Sequence, residues 1–135
     1  MLKTIVQSVR FAASAGELYD IYLDPARHAA VTGAPVKISA KTGSKFSAFD
    51  GMLSGRMLFT ISAQLIVQRW RSCMFHEGDL DSILVLRFIQ DGKRGRIDLV
   101  HANVPNHDFA GVTEGWEKYY WKPLRAYLKT SRLNG

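Results

Sequence analysis

His101 is the residue best placed in this sequence to do acid–base chemistry. It alternates with Ile97 and Leu99 in a stretch typical of a β-strand, so its side chain should share their apolar face. A histidine in that position can titrate near neutral pH, carry a proton or bind a ligand oxygen. It can equally be neutral and held by hydrogen bonds, and no residue at a fixed spacing supplies it with a partner.

Glu117 is the second residue with a choice of roles. Its position near the apolar side of a predicted helix would let it face a pocket and pair with His101 or with a ligand amine. The alternative is that it complements the positive end of the helix and reaches solvent. No serine, cysteine or lysine lies in a nucleophile motif such as G-x-S-x-G, so the sequence assigns no catalytic residue and favours a non-enzymatic protein over an enzyme.

The other histidines do not form a recognisable metal motif. His28 falls in a predicted helix, and His76 and His107 fall in turns, without an H-x-x-x-H or Cys/His spacing. We therefore predict no metal site and no cofactor.

Polar and aromatic residues are interleaved on the predicted inner faces. Gln68 and Ser82 alternate with apolar neighbours and are candidate polar anchors for a ligand. The aromatic residues could line a cavity or fill a core. The full set of candidate ligand-binding residues is Gln68, Trp70, Ser82, Leu84, Leu86, Phe88, Leu99, His101, Trp116, Tyr120 and Leu124.

A long C-terminal helix over Gly111 to Ser131 should position this set. At 3.6 residues per turn its apolar arc comprises Val112, Trp116, Tyr119, Tyr120, Pro123, Leu124, Tyr127 and Leu128. The opposite side carries Glu114, Lys118, Lys122, Arg125, Lys129 and Arg132. Pro123 either bends this helix or ends it, and the arc that keeps its phase beyond the proline favours a bend.

The rest of the chain predicts an antiparallel sheet. A strand over 4–11 is followed by two short helices, one with a Ser14/Glu17 capping box and one between Asp24-Pro25 and Gly33. Turn-like connections then separate strand-like runs, which implies a meander that brings the sheet to about seven strands. These runs cover 35–39, 45–49, 52–61, 65–75, 81–89 and 95–103.

Composition narrows the class of protein. The 135 residues suit one domain over 1–135, and 47% apolar residues can build its core. The net charge of +6 is compatible with nucleic-acid binding. No Lys/Arg run reaches five residues, however, so we expect no nucleic-acid partner. The absence of an apolar run of about 18 residues predicts no membrane insertion, and the single Cys73 fits a cytoplasmic location.

The order of these elements resembles the helix-grip arrangement of the START-like (SRPBCC, Bet v 1-like) superfamily, an α+β fold in which a curved antiparallel sheet wraps a long helix. More narrowly, nearly the whole chain is similar to the family of activators of heat shock protein 90 ATPase. The residues that carry the resemblance are HAAVTGAPVKISAKTGSKFSAFDGMLSG (28–55), IVQRWRS (66–72), DSILVLRF (81–88), Ile97 through His101 to Val104-Pro105, and GWEKYYWKPLRAYL (115–128).

The sequence departs from the family pattern in two connections. Gly43-Ser44-Lys45-Phe46 stands where paired glycines are usual, and Ser62-Ala63-Gln64 stands where a proline-containing turn is usual. The eukaryotic co-chaperone of the family also has a separate N-terminal domain that helps to engage the chaperone, with no counterpart in these residues. The resemblance therefore implies the fold more strongly than the chaperone role.

Three functions remain open from the sequence. The first is a non-enzymatic domain that binds a small hydrophobic molecule between the long helix and the sheet. The second, implied by the resemblance, is an interaction module that stimulates a heat shock protein 90 ATPase as part of a stress response. The third is a cyclase-like or hydrolase-like enzyme that uses His101 and Glu117. A monomer or a homodimer is compatible with each.

Overall fold

The computed structural model describes the backbone of residues 1–134 and the side chains of residues 1–131. Its strands are β1 Leu2–Phe11, β2 Lys45–Ala48, β3 Leu53–Ile61, β4 Leu65–Ser72, β5 Ser82–Asp91 and β6 Arg94–Pro105. Its helices are α1 Ala15–Leu23, α2 Pro25–Thr32, α3 Phe109–Gly115 and α4 Lys122–Asn134, with a 3₁₀ turn Asn106–Asp108 and a π-helical turn Trp116–Trp121.

The six strands form one antiparallel sheet in the order β1-β6-β5-β4-β3-β2. This confirms the predicted meander and the helix-grip fold class. The predicted strand over 35–39 is wrong, because this segment makes one isolated bridge between Lys37 and Ser47. Pro35 has no N–H to donate, and the Ser39 hydroxyl accepts from the backbone N–H of Lys41, so the chain turns before a ladder can extend.

The two short helices begin and end at the predicted caps. The Ser14 hydroxyl accepts from the backbone N–H of Glu17 at 3.1 Å, and Asp24 accepts from two N–H groups at the start of α2. Gly33 ends α2 with φ of 78°, a left-handed conformation that glycine adopts without strain. Because the helix starts are fixed, Leu18, Ile21 and Tyr22 point into the core.

The C-terminal helix is continuous from α3 through the π-helical turn into α4, so Pro123 does not end it. The wider turn directly precedes the proline, whose ring would otherwise crowd the carbonyl four residues earlier. Because this turn holds one extra residue, it changes which side chains of the helix face the sheet. Trp121 is consequently buried at 3% exposure, whereas Tyr119, predicted to face inward, is 48% exposed. The predicted basic position Arg132 lies outside the residues whose side chains are described.

On the central strands β5 and β6, the side chains that face inward are those that the alternation of apolar and polar residues predicted. Leu84, Leu86 and Phe88 on β5 are buried together with Ile97 and Leu99 on β6. The buried surface of the C-terminal helix, which includes Val112, Trp116, Tyr120, Trp121, Leu124 and Leu128, belongs to the same core. No helix within residues 1–134 is both long and apolar enough to cross a membrane.

Candidate functional site

A chain of hydrogen bonds joins the C-terminal helix to the sheet through His101. The indole N–H of Trp116 donates to Nδ1 of His101 at 3.1 Å, and His101 Nε2 lies 2.8 Å from the hydroxyl of Ser82. Ser82 in turn donates to the carbonyl oxygen of Trp70 at 2.8 Å. Since Nδ1 accepts, the proton must lie on Nε2, which makes His101 a neutral donor to Ser82.

His101 is fully enclosed, and burial lowers its pKa to about 3. An imidazolium ion would lose its hydration there without gaining a nearby carboxylate. Both ring nitrogens are already in hydrogen bonds, so the side chain has no free atom for a ligand. Of the two roles open to His101 in the sequence, the structure shows the neutral, hydrogen-bonded one.

A second polar network, which sequence reasoning missed, surrounds His28. Its Nδ1 lies 2.8 Å from the carbonyl oxygen of Tyr22 and its Nε2 lies 3.0 Å from the hydroxyl of Tyr120. The Tyr22 hydroxyl donates to Oε1 of Gln68 at 2.7 Å. Burial lowers the pKa of His28 to about 4, so it also stays neutral. The sequence contains one signal that His28 faces inward: it lies three residues before Val31, on the same side of the predicted helix.

Glu117 is not brought near His101. Its side chain is 57% exposed, and one of its oxygens accepts from Arg125 at 3.2 Å on the solvent side of the helix. The structure therefore gives Glu117 the solvent-facing role and leaves the acid–base pair of the third hypothesis unformed.

A sizeable cavity opens between the sheet and the C-terminal helix, near the start of that helix. It measures about 360 Å³ and is lined by residues within 49–53 between β2 and β3, by residues 72–74 at the end of β4, and by the segment 108–120, which runs from the 3₁₀ turn into the C-terminal helix. Its wall is largely apolar, with Phe49, Met52, Met74, Trp116 and Tyr119 among its members. The volume suits a small organic molecule.

All eleven candidate ligand-binding residues are buried, but they do not all reach this cavity. Trp70, Trp116 and Tyr120 line it directly. Leu86, Leu124 and again Tyr120 line a second space of only about 20 Å³. The others, which are Gln68, Ser82, Leu84, Phe88, Leu99 and His101, line neither space, and so they form the packed layer behind the cavity.

Two buried donors in this region lack an acceptor among the described residues. They are the indole N–H of Trp70 and the side-chain NH₂ of Gln68. A buried donor without a partner costs about 1–3 kcal/mol of stability. Trp70 lines the cavity with its ring, and its covered indole N–H has no acceptor among the described residues.

The outer face of the sheet carries a basic groove, which we define by Lys37, Lys45, Arg56, Arg69 and Arg71. It encloses about 500 Å³ and contains one carboxylate, Asp81, to which Arg69 and Arg71 bind at 3.2 and 3.1 Å. These cations are scattered in the sequence. The strand register brings them together, since Lys45 pairs with Arg56 and Arg56 with Arg69 across three strands.

An apolar row lies beside the basic groove on the same outer face. Phe59 pairs with Val67, Val67 with Val85, Val85 with Val100, and Val100 with Val6, so the row crosses five strands. Phe59 is 50% exposed and Val6 is 73% exposed. A contiguous apolar strip beside a charged groove is typical of a protein interaction surface.

Comparison with protein families matches most of the chain. The model described as "Activator of Hsp90 ATPase homolog 1-like protein" matches residues 12–129. Among curated proteins, the "Activator of 90 kDa heat shock protein ATPase homolog 1" of Homo sapiens is 28% identical over 115 residues, which are 85% of this chain and 34% of that protein. An uncharacterised protein of Schizosaccharomyces pombe is 31% identical over 121 residues, which are 90% of this chain and 36% of that protein. The chain spans about a third of the length of these relatives.

Solved structures show the same fold. An HSP90 activator from Plasmodium falciparum superposes with a TM-score of 0.85 at 19% identity, over 93% of this chain and 96% of that one. The Aha1 dimer from Colwellia psychrerythraea superposes with a TM-score of 0.75 at 13% identity, over 89% of this chain and 92% of that one.

Proposed function

This chain belongs to the family of Activator of Hsp90 ATPase homolog 1-like proteins, and from that premise we propose that it binds a heat shock protein 90 chaperone and stimulates its ATPase activity. The observation that carries the proposal is the family match over residues 12–129. A human relative that carries the activator name aligns with 85% of this chain at 28% identity. In this proposal the 135 residues act as one non-enzymatic domain in the cytoplasm, as a monomer or a homodimer.

The interior supports a binding role over a catalytic one. His101 and His28 are enclosed, neutral and engaged at both ring nitrogens. A general acid or base must reach the proton that it transfers, and neither residue faces the cavity. Glu117, the other residue of the enzymatic hypothesis, points to solvent.

The outer face provides the contact surface in this proposal. The basic groove holds five cationic side chains against the single carboxylate of Asp81, so it suits a partner whose contact surface is acidic. The adjoining apolar row supplies area that loses water on contact. Charge complementarity of this kind raises the association rate and makes it sensitive to salt.

The test is an ATPase assay with the purified chaperone and the intact protein. The wild-type protein should accelerate ATP hydrolysis, and the Lys37→Glu/Lys45→Glu variant should need at least a tenfold higher concentration for the same effect. Both lysines are exposed, and no ion pair with a described residue involves them, so the fold should be kept. The matched control is Lys122→Glu/Lys129→Glu, which changes the net charge equally on the exposed side of the C-terminal helix.

Two outcomes would overturn the proposal. One is that the wild-type protein neither binds the chaperone nor changes its rate of hydrolysis. The other is that the groove binds a short nucleic-acid duplex more tightly than the chaperone at physiological salt, since a groove of cations also suits phosphates. Equal loss in the groove variant and the control would reject the groove as the contact surface.

A second candidate function, binding of a small apolar molecule, rests on the 360 Å³ cavity. Trp70, Trp116 and Tyr120 would form its inner wall in that case. The unsatisfied indole N–H of Trp70 favours a ligand with one acceptor oxygen on an apolar body, provided that the ring shifts to expose that covered atom.

Gly115→Leu offers a sharp test of this candidate. A Cβ at Gly115 meets Tyr119 at 3.5 Å, which is an ordinary contact, so a larger side chain can enter the cavity without breaking the helix. Fatty acids, sterols and aromatic compounds would be screened by native mass spectrometry and thermal shift, because a ligand that binds only the folded state raises its melting temperature. Binding should be lost in Gly115→Leu and kept in Ala126→Leu, an exposed substitution on the same helix. Equal binding by both variants would exclude the cavity.

A further inference from the structure

Two surface histidines and an aspartate meet at the edge of the cavity mouth. His76 and Asp79 lie in the loop between β4 and β5, and His107 lies in the 3₁₀ turn before the C-terminal helix. One potential ligand atom from each residue lies within 4.8 Å of the others. His107 Nε2 lies 2.8 Å from Oδ2 of Asp79, and the rings of His76 and His107 stack at 3.7 Å with only 4° between their planes.

The surrounding hydrogen bonds hold this cluster in place. The backbone N–H of His76 donates to Oδ2 of Asp79 at 2.7 Å, which closes the loop into a tight turn. Arg71 donates to the carbonyl oxygens of His76 and Asp79 at 2.6 and 2.7 Å, and Asp81 fixes the guanidinium of Arg71 at 3.1 Å. Four hydrogen bonds thus position a turn that is otherwise open to solvent.

The ligand atoms needed for a metal remain available. Neither ring nitrogen of His76 has a hydrogen-bond partner among the described residues, and the same is true of Oδ1 of Asp79. Both histidines are exposed, so their rings can splay apart from the stack. Metal–nitrogen distances of about 2.0–2.1 Å then require the two rings to rotate so that one nitrogen of each approaches the ion.

We propose that His76, Asp79 and His107 form a binding site for a divalent transition-metal ion, with Zn²⁺ as the best-suited ion. Two imidazoles and one carboxylate are typical zinc ligands, and three protein ligands leave one position for water or for a group on a partner. Hard ions such as Mg²⁺ and Ca²⁺ prefer sets of oxygen ligands and are not expected to bind here. Metal entry replaces the hydrogen bond between His107 and Asp79.

The site would tie together two walls of the cavity mouth. Cys73 and Met74 precede His76 on one wall, and Asp108 follows His107 on the other, and all three line the cavity. A metal that bridges the two segments therefore restrains the opening between them. This inference stands independently of the proposed chaperone role.

Isothermal titration calorimetry with ZnCl₂, on the intact metal-free protein in a buffer that does not bind zinc, tests the site. We expect one ion per chain, and at least a tenfold weaker dissociation constant in each of His76→Ala, His107→Ala and Asp79→Asn. Glu77→Gln, which changes an exposed residue between His76 and Asp79, is the matched control and should bind as the wild type does. MgCl₂ in place of ZnCl₂ should give no heat of binding.

Two results would overturn the assignment. The first is zinc affinity that is unchanged in the His76→Ala/His107→Ala double variant. The second is the absence of any heat of zinc binding in the wild-type protein. If the double variant keeps its affinity and Cys73→Ser loses it, the nearby exposed thiol is the ligand instead. Far-ultraviolet circular dichroism of each variant without metal checks the fold, and we expect unchanged spectra since the substituted side chains are at the surface.

Discussion

The four histidines of this protein fall into two pairs with opposite properties. His28 and His101 lie in the core, at 1% and 0% exposure, and hydrogen bonds engage every ring nitrogen. His76 and His107 lie on the surface, stack on one another and contact a carboxylate. The contrast shows that burial keeps a histidine neutral and hydrogen-bonded between core elements, whereas the exposed pair beside an aspartate is the one for which we propose ion binding.

The same contrast separates the inside of the molecule from the outside. The core networks link α2 and the C-terminal helix to the sheet, and they hold the architecture. The basic groove, the apolar row, the cavity mouth and the histidine cluster all lie at the surface, where partners can reach them. The proposed functions accordingly depend on residues that partners can reach from solvent. The predictions below test whether the two histidine pairs differ as described.

The largest expected effect is a loss of stability on acidification. Below pH 6.5 the unfolded chain protonates His28 and His101, while the folded state, with the pKa of His28 at about 4 and of His101 at about 3, keeps both neutral. Stability is therefore complete above pH 6.5 and falls by about 1.4 kcal/mol per pH unit for each buried histidine, or about 4 kcal/mol for both by pH 5. Urea unfolding at pH 7.5, 6 and 5 measures this loss.

The control for acidification is the His76→Ala/His107→Ala variant, which should lose about as much stability between pH 7.5 and 5 as the wild type does. A flat stability profile in the wild type would contradict the enclosed, neutral state of the core pair.

His101→Leu should lower the free energy of unfolding by about 2–3 kcal/mol. The indole N–H of Trp116 loses its acceptor and the hydroxyl of Ser82 loses its donor, and both groups are buried. The matched change His107→Leu, at the surface, should alter stability by about 0.5 kcal/mol or less. Chemical denaturation at pH 7.5 gives both values, and similar values for the two variants would refute the distinction between the pairs.

Tyr120→Phe should cost about 1–2 kcal/mol. It removes the hydroxyl that lies 3.0 Å from Nε2 of His28 and leaves that buried acceptor unpaired. Tyr119→Phe changes the neighbouring, half-exposed ring and should be close to neutral. Thermal unfolding of the two variants side by side is the measurement, and a loss in Tyr119→Phe that matched Tyr120→Phe would count against the His28 network.

The smallest expected effect belongs to Glu117→Gln. The substitution removes one exposed ion pair with Arg125, and such pairs contribute about 0.5 kcal/mol or less. Urea unfolding at low and at high salt measures the difference. A loss above about 1 kcal/mol that persists at high salt would indicate that Glu117 has an interior role after all.

Much of the architecture was predictable because it follows from local rules. Alternation placed Leu84, Leu86 and Phe88 on the inner face, and the capping residues placed the starts of α1 and α2. The inner location of His101 followed from the same alternation. Its tautomer and its partners did not, because Ser82 and Trp116 approach it only once strands and helix are packed.

Other features depend on information that periodicity lacks. A constant 3.6-residue period cannot show the π-helical turn that exposes Tyr119 and buries Trp121. The basic groove depends on strand register, and the histidine cluster joins His76 and His107 across a separation of 31 residues in the chain. Sites assembled from distant segments give no spacing signal, which is why the sequence indicated neither.

The most direct test of the division between core and surface is a long-range ¹H–¹⁵N NMR spectrum of the four imidazoles, recorded from pH 7.5 to 5 and then with one equivalent of Zn²⁺. The account predicts a proton on Nε2 of His101 and on Nδ1 of His28 throughout, with zinc shifting only the signals of His76 and His107. Protonation of His101 in the folded protein at pH 5, or a zinc-induced change at either core histidine, would contradict it.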